Sequence, residues 1–198
     1  MSVVRKARRS LTSLLVLAAV LGPAAAAAAP YPPPPEPAMA QELLDARWPG
    51  DIVTVGERYV ASYPAGPYAV AARGELDRAR NTRRLLERSD IRLYRGDFVA
   101  RGASPTLYDD VRKAALADKD AAARVGRLYR DGENGVVANP DRYVGWLQYA
   151  AALGNAPASY ELAVHYRKSD QPALAAPYEA RAEELGFRPP PTLDHIRK

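Results

Sequence analysis

Between Arg78 and Arg101 the chain sets eight arginines (Arg78, Arg80, Arg83, Arg84, Arg88, Arg92, Arg95 and Arg101) against three acids, Glu87, Asp90 and Asp97. Guanidinium groups grip carboxylate and phosphate with two prongs, so this stretch can dock an acidic partner such as an anionic polysaccharide, lipid head groups or another protein's acidic patch. The same residues also fit a solvated helix face whose arginine stems cover apolar surface. Other groups with chemical potential are sparse. The chain has two histidines, His165 and His195, and no cysteine, which removes thiolate nucleophiles, disulfides and thiolate metal sites together. Gly132 and Gly135 lie in one loop, but no Lys-Ser/Thr follows to hold a phosphate. Glu183 and Glu184 are adjacent in a helical pattern and point in different directions, unlike a cooperating acid–base pair. No HExxH or GxSxG string occurs. These residues point to binding, with no catalytic residue, metal ligand or cofactor assigned.

The elements that must position these groups are helices, and they repeat. Ala121, Val125, Leu128 and Tyr129 fall on one apolar face of a 3.6-residue period, and Gly132 ends that helix. Asn139-Pro140 opens a second helix, with Asn as N-cap and Pro at the first helical position. Tyr143, Trp146, Leu147, Ala150 and Leu153 form its buried face, and Gly154 stops it. The pattern then returns. Setting Tyr129 on Tyr166, 37 residues later, places Val125 on Leu162, Gly126 on Ala163 and Arg130 on Arg167. Setting Gly154 on Gly186, 32 residues later, places Trp146 on Tyr178 and Ala150 on Ala182. Tyr108 to Ala117 reads as a degenerate copy of the second helix. A period in the mid-thirties built from helix pairs predicts an all-α solenoid of about eight helices.

The string LYRDGENGVVANPDRYVGWLQYAAALGNA resembles the Sel-one-like repeat, a relative of the tetratricopeptide repeat with a glycine-rich loop and a Trp or Tyr followed by paired alanines. The second copy is eroded, since Ser169 stands where the first has Gly132. The resemblance implies a structural role for Val125, Gly126, Tyr129, Gly132, Trp146, Ala150, Gly154, Leu162, Tyr166, Tyr178 and Gly186. It also implies a partner-binding groove lined by the first helix of each pair: Arg127, Arg130 and Asp131 in one copy, Tyr160, Val164, Arg167 and Lys168 in the next. Four cations and a tyrosine there suit an acidic or C-terminal peptide segment. His165 falls on a half-buried repeat position. Upstream, residues 40–87 read as three helices: Gln41 to Arg47, Ile52 to Ser62 capped by Asp51, and a long helix entered through Tyr63-Pro64 and reaching about Arg88. That order is similar to a tetratricopeptide unit of bacterial envelope proteins. Residues 89–104 fit helix or strand equally, and Pro177 fits either the first turn of the last helix or a kink within it.

The chain of 198 residues carries +5 net charge, yet its first 29 residues hold Arg5, Lys6, Arg8 and Arg9 and no acid. An apolar run from Leu11 to Val20 and a string of alanines follow, the order of a secretory signal peptide cut near Ala28. A cut at Ala38-Met39-Ala40 and an uncleaved anchor are the alternatives, although Gly22-Pro23 leaves a short stretch for a span. Without this leader the chain is nearly neutral, so the basic footprint that nucleic-acid binding needs is missing. The expected organisation is a signal peptide over 1–28, a proline-rich linker over 29–39, a tetratricopeptide-like part over 40–104, Sel-one-like repeats over 105–187 and a proline-containing tail over 188–198. The expected protein is a periplasmic adaptor with no stable membrane span that binds another envelope protein. An assembly factor for an anionic envelope polysaccharide is the alternative, and an enzyme of unrecognised type a third.

Overall fold

The computed structural model describes residues 33–98 and 104–188. The described residues form one compact unit. Among the described residues the chain is all-α, with eight helices packed in adjacent pairs and no strand. They are α1 (Glu36–Asp45), α2 (Pro49–Ser62), α3 (Ala69–Leu86), α4 (Pro105–Ala115), α5 (Lys119–Asp131), α6 (Pro140–Ala152), α7 (Ala156–Lys168) and α8 (Pro172–Glu184). The signal peptide, its cut near Ala28, Arg101 and His195 lie outside the described residues.

Local chemistry sets the ends of α4 to α7. The side chains of Ser104, Asp118, Asn139 and Asn155 each accept a backbone N–H from the first turn of the helix that follows. Each of these helices except α5 also has proline at its first or second position, where a missing N–H breaks no bond. At the other end of these four helices, and of α8, a residue in the left-handed region turns the chain out: Ala117, Gly132, Gly154, Asp170 and Gly186. At Gly154 and Gly186 the next residue sends its N–H back six residues' span, Asn155 to the Ala150 carbonyl and Phe187 to that of Ala182, both at 2.9 Å. In the second copy the left-handed residue is Asp170 with φ 55°, not Ser169, so the eroded repeat keeps its turn and moves it one position.

Two helix starts differ from the sequence reading, and two alternatives it left open are narrowed. Helix α1 begins at Glu36, not near Ala40, because Pro35 and Pro37 occupy a cap and a first-turn position that tolerate proline. Met39 is fully buried there, so a cut at Ala38-Met39-Ala40 would remove a core residue. Helix α2 begins at Pro49 with Trp48 as N-cap; Asp51 sits in its first turn, where an acid favours the dipole, and pairs with Arg95 at 3.0 Å. Pro177 lies inside α8, which starts at Pro172, so the Ala173 carbonyl has no helical donor.

One core runs from α1 to α8. Helices α5 and α6 cross so closely at Gly126 that a Cβ there would lie 3.2 Å from the Trp146 Cβ. Trp146, fully buried, meets Phe98 at 4.8 Å and Tyr149 at 6.2 Å between ring centres. Phe98 belongs to the segment 91–98, which is neither helix nor strand until a single 3-10 turn at Arg95–Phe98. That segment is sewn onto α6. Ile91, Leu93 and Phe98 are buried, the Gln148 side-chain oxygen accepts the Arg92 N–H at 3.1 Å, and Arg142 pairs with Asp97 at 3.0 Å. At Gly145 the fit is closest: a Cβ there would sit 2.5 Å from the Arg92 carbonyl oxygen. Helices α3 and α4 are joined by a largely buried pair, Arg112 to Glu75 at 2.9 Å. The Tyr149 hydroxyl donates to the Ala114 carbonyl at 2.6 Å. The parts expected at 40–104 and 105–187 therefore share one interior.

Candidate functional site

Helix α7 presents Pro157, Tyr160, Glu161, Val164, His165 and Lys168 along one face, the i, i+3, i+4, i+7 spacing of a single stripe. Opposite stand Arg127 and Arg130 on α5, with Tyr143 of α6 between and Phe187, just past α8, closing one end. Together they enclose a cleft of about 580 Å³. Five of the seven residues expected to line a groove are in it: Arg127, Arg130, Tyr160, Val164 and Lys168. Asp131 and Arg167 are not. Asp131 turns aside to take a two-pronged grip from Arg130 at 2.7 and 2.9 Å, and Arg167 pairs with Glu179 of α8.

Of the four cations the sequence suggested for the groove, Arg127, Arg130 and Arg167 are paired within the fold. Glu161 takes Arg127 at 3.0 Å through one carboxylate oxygen, and Arg130 at 2.7 Å and the Tyr143 hydroxyl at 3.2 Å through the other. Arg130 is held protonated by Asp131, then by Glu161, and the Asp131 carboxyl is held below its ordinary value in return. Burial, then the Glu161 charge, pushes the Tyr143 phenol up to about 12. The arginines are thus already neutralised inside the fold, although each keeps N–H groups beyond those Glu161 takes. Lys168 is exposed and has no carboxylate partner among the described residues. It is the lining cation left to meet a ligand. Burial lowers the pKa of His165, whose ring lies 5.7 Å from Tyr143 and 5.5 Å from Tyr166, so it is neutral near pH 7.

The two ends of the cleft have different chemistry. At the end near the start of α7, the rings of Tyr160 and Phe187 pack against each other, 5.1 Å between centres and tilted by 36°, beside Pro157, an apolar platform. At the other end Lys168 stands past Val164 and His165. Glu161, Tyr143, Pro157, His165 and Phe187 were not assigned to the groove from sequence. Glu161 had a readable signal: with Tyr129 set on Tyr166 it falls on Arg124, an exchange of charge sign between neighbouring copies.

The arginine face is also largely spent on the fold. Arg80 pairs with Glu57 at 2.8 Å, Arg88 with Asp90 at 2.7 Å and Arg95 with Asp51 at 3.0 Å, while Arg83 reaches Glu87 at 3.9 Å. Arg84 bonds the Asn81 side chain. Arg78 and Arg92 are exposed and have no carboxylate partner among the described residues. A second cleft of about 390 Å³ lies between Arg88 and Asp90 and helices α6 and α8, with Tyr178 in its wall. Tyr178 is half-buried and stacks on Tyr166 at 5.7 Å, whereas Trp146, its counterpart in the first copy, is fully buried.

Among the described residues no group of three or more His, Cys, Asp or Glu is placed to hold a metal ion. No described helix is long and apolar enough to cross a membrane. No protein-family model matches the chain, and no curated protein or solved structure matches it either.

Proposed function

We propose that this chain is an exported, non-catalytic helical-repeat adaptor of the bacterial envelope, a divergent relative of the Sel-one-like repeats, that holds a segment of another protein in the cleft between α5 and α7. The observation that carries this reading is the cleft itself: about 580 Å³ on the first-helix faces of two successive repeats, apolar at one end and cationic at the other. A rigid repeat scaffold positions such a surface without moving parts. Export is supported by the basic, apolar and alanine-rich order of the first 29 residues.

The test is an in-cell crosslinking pull-down of the chain beside a Lys168→Glu, Tyr160→Ala version. Reversing Arg127 or Arg130 is the wrong control, because it would also break their pairs with Glu161. A protein partner recovered with the parent and lost with the double variant supports the adaptor reading; an unchanged partner set contradicts it.

The second reading, binding of an anionic envelope polysaccharide, keeps one observation in its favour. Tyr94 is 72% exposed, two residues after exposed Arg92, and offers a ring on which a sugar can stack. Polymer retention that falls with salt and with Arg92→Ala, Tyr94→Ala would favour it over the adaptor.

A further inference from the structure

Building on the adaptor reading, we infer that the α5/α7 cleft selects an extended peptide carrying an aromatic side chain at one position and an aspartate or glutamate four residues away. The two ends of the cleft set the pattern. Tyr160 and Phe187, in contact with each other at 5.1 Å between ring centres, form an apolar platform on which an aromatic side chain can pack. Lys168 lies about two turns along the same face of α7, roughly 12 Å further at 1.5 Å per residue. An extended chain advances about 3.3 Å per residue and returns to the same face every second residue. Positions i and i+4 therefore point the same way about 13 Å apart, which matches the distance from platform to lysine. Position i+2 falls beside Val164 and takes an apolar residue.

Charge decides which group reads the acid. Arg127 and Arg130 already share the Glu161 carboxylate, so a second carboxylate gains little there. Their remaining N–H groups suit the carbonyl oxygens of a bound backbone. Lys168 carries a charge with no partner among the described residues, so the acid at i+4 belongs to it.

The experiment uses the full chain and labelled peptides blocked at both ends, read by fluorescence anisotropy at low salt. The first is Phe-Thr-Val-Thr-Asp, the second moves the acid one place forward (Phe-Thr-Val-Asp-Thr), and the third ends in Asn. The expected order is tightest binding by the first, with a three- to five-fold loss for the Asn peptide, as one partly exposed ion contact gives. Lys168→Ala is expected to cause the same loss on the Asp peptide and none on the Asn peptide. Tyr160→Ala weakens all three, and circular dichroism checks that both variants stay folded. Equal binding by all three peptides overturns the inference and leaves the adaptor reading standing. Binding by none of them overturns the inference and, if the pull-down also recovers no partner, the adaptor reading falls with it. Self-association abolished by Tyr160→Ala would place a second copy in the cleft and also overturns the inference.

Discussion

Replacing Glu161 by Gln would leave Arg127 and Arg130 without their shared carboxylate and the Tyr143 hydroxyl without its anionic acceptor. Because both arginines are part-exposed, the expected loss of stability is about 1 kcal/mol, measured by urea melts. The sharper readout is Tyr143. Burial is the larger cause of its raised pKa and the Glu161 charge the next, so Glu161→Gln should lower it part of the way from about 12 toward 10.0. An ultraviolet titration compared with that of Tyr143→Phe isolates this one phenol. The sequence made the cleft's walls legible through the period of α5 and α7, but it could not show their charge balance. Whether an arginine is free depends on which carboxylate a neighbouring helix brings opposite it, and Glu161 lies 34 residues from Arg127.

At the scale of the element, the helices whose ends carry their own chemistry were the ones that could be read. Asn139-Pro140 and Gly154 mark α6 to the residue. The segment 91–98 could not be read this way, because what holds it lies on α6. A Cβ at Gly145 would meet the Arg92 carbonyl oxygen at 2.5 Å, so Gly145→Ala should cost about 2–3 kcal/mol despite alanine's better helix propensity. A thermal melt showing Gly145→Ala at or above the parent would mean that the segment does not rest on α6. Ala117 gives the opposite case. It holds φ 69° at the end of α4, a conformation that strains any residue with a Cβ. Ala117→Gly relieves that strain and loses some unfolded-state advantage, with an expected net gain of about 0.5–1 kcal/mol. A fall in stability would show that the Ala117 methyl contributes packing that outweighs the strain.

For the molecule as a whole, one interior from Met39 to Ala175 predicts one cooperative unfolding transition, not separate melting of an N-terminal part and a repeat part. Its alkaline limit follows from the buried phenols. Tyr143 and Tyr178 are raised to about 12, and burial raises Tyr149 as well. A group whose pKa is raised on folding contributes stability below its unfolded value, here 10.0, and loses it as pH climbs toward the folded value. Stability should therefore hold up to about pH 9 and fall steeply between pH 10 and 12, with a shallower fall in Tyr143→Phe and Tyr178→Phe. The all-α repeat class was legible because it rests on a period, and a single helical array followed from it; the contacts that join its two parts were not legible, because Phe98 meets Trp146 and Tyr149 from far away in the sequence.

The cleft between α5 and α7 as a protein-binding surface is tested most directly by a photoreactive amino acid placed in living cells at Val164, inside it, and at Val70, which is 81% exposed on α3 and outside it. The expected result is a discrete crosslinked partner from position 164 and none from position 70. Crosslinks of equal yield from both positions, or none from position 164, would contradict the account.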